Sequence, residues 1–309
     1  MSHLVRLGLI SEGVNTWPLY VAQRRRFFEL ENLDVQVTVT GSSVMQQQAL
    51  IRGDYDIGFQ QADHVVRAAE QGADLFIFMA MGHAPDLTLV GARDVTKINE
   101  LTGRTIAVDG ARTGYALLLR QLLARHGLSD SDIVLQEFGG SQERFDAMKR
   151  GAVSASLLNS PFDANLIDAG YVALARMNEA FPSYPGPVMA ARRAWASSHD
   201  KALLAFVRAW SAAYAWLQDA RHRDEAIALL PERLAVAPHA ATSAFTQFAQ
   251  RARPALTDLG LQQVIDTVWV AEAYRRPKGE PSKYLDLSYA ERGSLPDLTE
   301  TSVSQSSLL

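Results

Sequence analysis

Two hydrophobic periodicities alternate through the first two thirds of the chain. Short runs that are apolar throughout, or at every second position, have the pattern of strands. Longer runs with apolar residues three and four apart have the pattern of helices. Residues 52–78, RGDYDIGFQQADHVVRAAEQGADLFIF, show the unit most clearly. Gly53 follows an apolar helical run and suits a left-handed helix end. Residues 55–59 form a short apolar strand, and Gln60, Gln61 and Asp63 are polar where that strand emerges. Asp63 suits the cap of the next helix and Gly72 its end. Residues 75–81 are apolar throughout, as in a strand covered on both faces.

The same grammar returns 98 residues later in RGAVSASLLNSPFDANLIDAGYVALAR. Gly53 matches Gly151 and Gly72 matches Gly170. Further back, Arg6 matches Arg104, Gly41 Gly139, Ser43 Ser141, Ala49 Ala147 and Arg52 Arg150. Identity at this offset is low, but the matches fall at turns and caps, which backbone geometry fixes. The pattern predicts two α/β units of one kind, and so two lobes with a cleft between them.

Other elements follow from the same signals. Residues 4–10 are the first strand, and Pro18 opens a helix to about Leu30, capped by Thr16 or Trp17. Residues 35–39 alternate as a half-buried strand, and Gly41-Ser42-Ser43 opens a helix in which Ser43 and Gln46 have capping-box spacing. Residues 86–92 fit a strand leaving the first lobe, and Thr96 caps a short helix through Leu101. The second lobe continues with strands at 105–108 and 133–138, a helix ending at Gly127, and another opened by Gly139-Gly140-Ser141. Residues 188–191 fit a return strand. From Asp200 the texture is helical: Leu203, Val207, Trp210, Tyr214 and Leu217 share one face, as do Leu261, Val264, Val268 and Ala271. These helices are expected to pack back on the first lobe, and residues 294–309, polar and Ser-rich, to form a loose tail.

Composition narrows the function. Hydrophobic residues make up 48% of the chain, enough for a large core, and the net charge of -4 gives no sign of nucleic-acid binding. There is no cysteine, which excludes thiolate catalysis, disulfides and cysteine-held metal. No apolar run is long enough to span a membrane. The opening MSHLVRLGLI enters a strand without a basic region, an apolar segment and a cleavage site. Two expectations follow: a mature chain restarted with Met, or a cytoplasmic protein. No G-x-x-x-x-G-K-[ST], H-E-x-x-H or G-x-S-x-G motif occurs, and no spacing suggests a metal or a cofactor.

In open α/β sheets, ligands bind beyond the carboxyl ends of the strands. The candidate ligand-binding residues are therefore Asn15, Thr16 and Trp17 after the first strand and Ser42 and Ser43 after the second. Gln60, Gln61, Asp63 and His64 follow the third, and His83 the fourth. The second lobe offers Asp109, Arg112, Thr113, Gly114 and Tyr115, then Gly140, then Asn159 and Phe162. Several stand at helix N-termini, where free N–H groups favour an anion. Arg112, in a glycine-flanked loop, would add a bidentate fork for a carboxylate or sulfonate. A structural role also fits each: Asn15, Thr16, Ser43 and Thr113 as caps, Trp17 and Phe162 as core, Asp63 as a cap, His64 as a structural histidine, and Arg112 as a surface residue or a latch to Asp109 or Glu143.

The residues together resemble the type II periplasmic-binding-protein superfamily, in the branch of nitrate, sulfonate, taurine and pyrimidine-precursor receptors. The resemblance rests on LGLISEGVNTWPLYVAQRRRFF, GDYDIGF, INELTGRTIAVDG and PSKYLDLSYAE, and covers nearly the whole chain. It implies an α/β, two-lobed fold in which each lobe is an open, mostly parallel sheet flanked by helices. Lobe I would comprise 1–91 and 188–309 and lobe II 92–187, with two crossing strands as hinge. It implies a monomeric, periplasmic solute-binding protein that hands a small, anionic organic molecule (a sulfonate, carboxylate or pyrimidine-like compound) to an ABC permease and ATPase. The superfamily also contains enzymes. His64 stands at the spacing of a histidine in the fungal thiamine-pyrimidine synthases, which makes it the acid/base of an alternative enzymatic reading. Their cofactor lysine would fall near Gln60, however, and their cysteine-rich motif, like the nucleophile of the desulfinases, has no counterpart in a chain without cysteine.

Overall fold

The first predicted unit supplies β1 (His3–Leu9), β2 (Leu33–Val39), β3 (Ile57–Gln60) and β4 (Leu75–Ala80). The chain then builds a second sheet from β5 (Thr88–Gly91), β6 (Thr105–Val108), β7 (Val134–Glu137), β8 (Ala155–Leu158) and β9 (Val172–Arg176). It returns to the first sheet with β10 (Val188–Arg192). This computed structural model describes residues 2–82, 84–234, 236–249 and 254–294. His83 and residues 295–309, expected as a tail, lie outside them.

The strand orders are β2-β1-β3-β10-β4 and β7-β6-β8-β5-β9. They coincide when β1 to β4 are matched with β6 to β9 and β10 with β5. β8 lies 98 residues after β3 at both ends. In each sheet the first three strands are parallel. β10 and β5 run antiparallel to both neighbours, with a register shift at Met189/Ala190 and at Leu89/Val90. The glycines that marked the repeat share a backbone state: φ is +65° and +82° at Gly41 and Gly139, +88° and +67° at Gly53 and Gly151, +91° and +89° at Gly72 and Gly170. Left-handed turns are costly for other L-residues, so these positions keep glycine while the rest of the repeat drifts.

β5, expected at the end of the first lobe, belongs to the second sheet, so the crossing falls earlier, at residues 81–87. All four β5 residues are buried, which a strand obtains between β8 and β9. The outgoing and returning segments touch where they cross. The Met81 N–H donates to the Pro187 carbonyl at 2.8 Å. Gly82 and Gly186 lie so close that a Cβ on Gly186 would overlap the Gly82 backbone, and one on Gly82 would overlap the Pro187 ring and crowd Gly186.

Three local expectations need correction. The helix expected over 18–30 is two helices, Trp17–Arg24 and Phe27–Leu30, because Arg26 is left-handed at φ 59°. Ser42, not Ser43, caps the helix Ser43–Arg52, its hydroxyl accepting from Met45 N at 3.3 Å. The helix Ala62–Glu70 is capped at Gln61, which leaves Asp63 in its first turn.

The helix Asp200–Gln218 buries Leu203, Val207, Trp210 and Leu217 and packs on Trp17–Arg24 and Phe27–Leu30. Helix Pro238–Ala249 instead reaches Phe162–Asp168 in the second half, and helix Asp258–Ala271 touches both Ala62–Glu70 and Gly114–Arg125. The C-terminal helices thus pack on both halves, more than the sequence pattern predicts. Asp286 N donates to Ile77 O at 2.9 Å and Ile77 N to Tyr284 O at 2.8 Å, covering the outer edge of β4.

Gly139 also meets the Gly41 carbonyl, so a Cβ there would overlap the equivalent turn of the other half. Gly127, at φ +79°, has no neighbour within 4 Å of such a Cβ. Gly127→Ala should therefore cost only the left-handed strain, about 1–2 kcal/mol. Gly139→Ala should cost more, through the added contact between halves. Denaturant melts of the two variants read the difference, and equal costs would mean that the contact carries nothing.

Candidate functional site

The carboxyl ends of the parallel strands in both sheets face one cavity of about 770 Å³, counted out to its open mouth. The first half contributes the loop after β1 (Ile10, Ser11, Glu12, Gly13, Asn15, Thr16) and the end of β3 (Phe59, Gln60, Gln61). The second contributes Val108 and Asp109 after β6, Tyr115 from the helix that follows, Gly140, Ser141 and Arg144, and Leu157 and Asn159 at the end of β8. Asp86, Leu87 and Pro187 come from the crossing segments.

Of the residues selected from sequence, Asn15, Thr16, Gln60, Gln61, Asp109, Tyr115, Gly140 and Asn159 line the cavity. Trp17 does not. It is fully buried, donates its indole N–H to Ala226 O at 3.0 Å, and packs on Phe245 and Phe248. Phe162 is also core, against Phe145. Ser42, Ser43 and Thr113 serve helix starts, and the Thr113 hydroxyl donates to Asp109 Oδ1 at 2.9 Å. His64 is buried behind the cavity wall, its Nε2 3.8 Å from Asp63 Oδ2. His83 lies outside the described residues.

Asp63, Gly114 and Arg112 join the halves away from the cavity. Asp63 is buried, and its Oδ2 accepts from Gly114 N at 2.8 Å and from Arg67 Nη1 at 3.1 Å. Arg67 also donates to Glu272 at 2.8 Å and to the Arg112 carbonyl at 3.0 Å. Arg112 points outward, 71% exposed, and pairs with Glu272 at 2.9 Å. It is a latch, but to a residue 160 positions away rather than to Asp109 or Glu143. Nearer the cavity, Val14 N donates to Ser160 O at 2.9 Å.

The arginine in the cavity is Arg144, which the sequence pattern does not single out. It stands in the first turn of the helix Ser141–Lys149 and is 6% exposed. Its Nε donates to Leu157 O at 3.1 Å, Nη1 to Gly139 O, and Nη2 to the Ser141 hydroxyl at 3.2 Å. Three of its five N–H groups are thus held by neutral acceptors. Among the described residues no carboxylate makes an ion pair with it. Burial pulls its pKa below the ordinary arginine value, against the longer-range pull of Asp109 and Glu143. A buried guanidinium beside a helix N-terminus has the charge and the donors that an anion would need.

Neutral polar groups complete the wall. Both amide atoms of Gln60, the Oε1 of Gln61, the Oδ1 of Asn159 and the Tyr115 hydroxyl are buried without a hydrogen-bond partner. Burial, with Asp63, Asp86 and Asp109 nearby, pushes the Tyr115 pKa well above its usual value, so its hydroxyl stays protonated and able to donate. Each such orphan costs about 1–3 kcal/mol unless something in the cavity meets it. Among the described residues no cluster of three or more His, Asp or Glu side chains could hold a metal ion, and no helix is long and apolar enough to cross a membrane.

The paired sheets, each completed by a strand returning from the other side of a crossing, are the type II periplasmic-binding-protein fold. The chain belongs to the NMT1/THI5-like family, whose profile matches residues 14–223. Among solved structures, it resembles the ligand-binding component of an ABC-type import system from Staphylococcus aureus, with zinc bound (TM-score 0.79, 14% identity, 95% of this chain and 99% of that one). It also resembles the nitrate-binding protein of Synechocystis (TM-score 0.74, 13% identity, 94% and 88%). A third is the alkanesulfonate-binding protein of Xanthomonas axonopodis, bound to MOPS (TM-score 0.70, 20% identity, 88% and 92%). At these identities the likeness is one of fold. A curated relative, the bicarbonate transport ATP-binding protein CmpC of Synechocystis, is 32% identical over 122 residues, and the match spans 18% of that protein's length.

Two substitutions separate site from scaffold. Trp17→Ala should destabilise the fold by about 3–5 kcal/mol. Asp63→Ala should leave Gly114 N without its acceptor, while Arg67 keeps Glu272, and cost about 1–3 kcal/mol. Arg112→Ala, at an exposed pair, should change stability by less than about 1 kcal/mol. Thermal melts of the three variants check this order, and an Arg112→Ala loss as large as that of Asp63→Ala would reverse it.

Proposed function

We propose that this chain is the solute-binding component of an ABC importer, and that it captures a small organic solute bearing an acidic group in the cavity between its sheets. The observation that carries this reading is Arg144: a buried guanidinium with no ion-paired carboxylate among the described residues, at a helix N-terminus, lining the cavity between the sheets. A sulfonate or carboxylate supplies the missing charge, while Phe59 and Tyr115 offer apolar faces to a flat, pyrimidine-like or aliphatic body. In this reading the two sheets with their helices are lobes that close by bending at residues 81–87 and 186–187. The chain acts as a monomer outside the inner membrane and delivers its solute to a permease driven by an ATPase. Family membership, and the import and binding roles of its structural neighbours, support it. Acid–base chemistry by His64 gains no support, because His64 does not line the cavity.

A thermal-shift screen against alkanesulfonates, aromatic carboxylates, nitrate and pyrimidines tests the reading. A solute at 100 times its dissociation constant should stabilise the chain by about 2.7 kcal/mol. Arg144→Gln should weaken an acidic binder by roughly 10- to 100-fold, the worth of a charge-assisted bond. Small-angle scattering should show a smaller radius with the binder present. A binder that neither depends on Arg144 nor contracts the chain would remove both the anion site and the closure.

A further inference from the structure

The cavity asks for more than an acid. Gln60 ends β3, is 1% exposed, and lines the cavity with both its amide nitrogen and its amide oxygen unpartnered. An amide uses two donors and two lone-pair acceptors when satisfied. No backbone group bonds either amide atom, and the main chain of Gln60 itself pairs with Val188 of β10. Its neighbours do not serve it either. Gln61 Oε1 and Asn159 Oδ1, on the rims of the two halves, and the Tyr115 hydroxyl are themselves buried and unpartnered. A sulfonate or carboxylate at Arg144 offers acceptors alone, and would leave Gln60 Oε1 and the Gln61 and Asn159 oxygens without donors. A donor and an acceptor side by side on one planar group match both faces of Gln60 at once, as an amide pairs with an amide.

We infer that the solute carries, besides its acidic group, a neutral donor–acceptor edge of the carboxamide, ureide or lactam type, and that Gln60 selects for it. The inference rests on the solute-binding reading and deepens it. Arg144 holds the charged end and Gln60 the neutral edge, with the Gln61 and Asn159 oxygens accepting further N–H groups. A site built to bond such groups rejects an analogue that lacks them far more strongly than an apolar pocket rejects a change of shape.

The test uses two pairs of acids matched in shape, measured by calorimetry on the whole chain. Orotate and succinamate carry the edge, while 3,5-dimethylbenzoate and 4-methylpentanoate lack it. Orotate or succinamate should bind about 100-fold more tightly than its partner. Gln60→Leu should bring each pair to within about threefold. Gln60→Met serves as a second variant if the leucine chain does not fold, and the wild-type comparison needs neither. Equal binding within both pairs overturns the inference, and so does a preference that survives Gln60→Leu. In either case binding lost in Arg144→Gln still upholds the solute-binding reading. If none of the four acids binds the folded chain, the donor–acceptor class is overturned. The solute-binding reading is then judged by the wider thermal-shift screen.

Discussion

The two crossings of the chain between its sheets have to occur side by side, and the rest of the structure depends on that. Met81 and Pro187 share a hydrogen bond, and Gly82 and Gly186 pass without room for a Cβ. Because the outgoing and returning segments are tied at this point, β5 and β10 enter their sheets antiparallel and at the same position in each order. That in turn turns the carboxyl ends of both sets of parallel strands toward one another. A looser crossing would leave two α/β units with no common site.

The sequence carried the repeat because its markers are backbone states. Left-handed glycines at 41, 53 and 72 recur at 139, 151 and 170, where no other residue sits cheaply. The polar ends of β3 and β8 were legible for the same kind of reason, since a short buried strand must end somewhere wet. What stayed hidden was decided by parts of the chain far away. Trp17 and Tyr115 are equivalent in the repeat, yet Trp17 is enclosed by Ala226, Phe245 and Phe248 from the C-terminal helices while Tyr115 keeps its face on the cavity. Arg112 has the surroundings of an anion ligand in sequence, but Glu272 holds it outside. Arg144, one turn into a polar helix, has the pattern of a surface residue. Only the fold reveals that Leu157, Gly139 and Ser141 enclose it.

Contacts between the halves are of two kinds with different consequences. The bonds of Asp63 to Gly114, Val14 to Ser160 and Arg112 to Glu272 do not involve the cavity wall's free groups. They stabilise the joined arrangement whatever the solute is. In the proposed closure they set the starting balance between open and closed forms, and so the fraction of molecules ready to hold a solute. They cannot provide selectivity, because a contact made equally with every solute shifts no preference among them.

Selectivity has to come from groups that a solute satisfies only when it touches both halves. Arg144 and Asn159 belong to the second half, Gln60 and Gln61 to the first. A solute with a charge and nothing else meets Arg144 and at most the amide N–H of Gln60, and leaves the Gln60 and Gln61 oxygens without donors. Its differential affinity for the proposed closed form is therefore the smaller one. A solute that also meets Gln60 gains its second set of bonds only on closure, so its chemistry, recognition and conformational change are coupled through one pair of residues. The division of polar groups between the halves is thus itself a filter. In the proposed import function, acting only on a correctly filled carrier needs a shape change that the wrong acid does not produce, and the separation of Arg144 from Gln60 across the cavity would supply it.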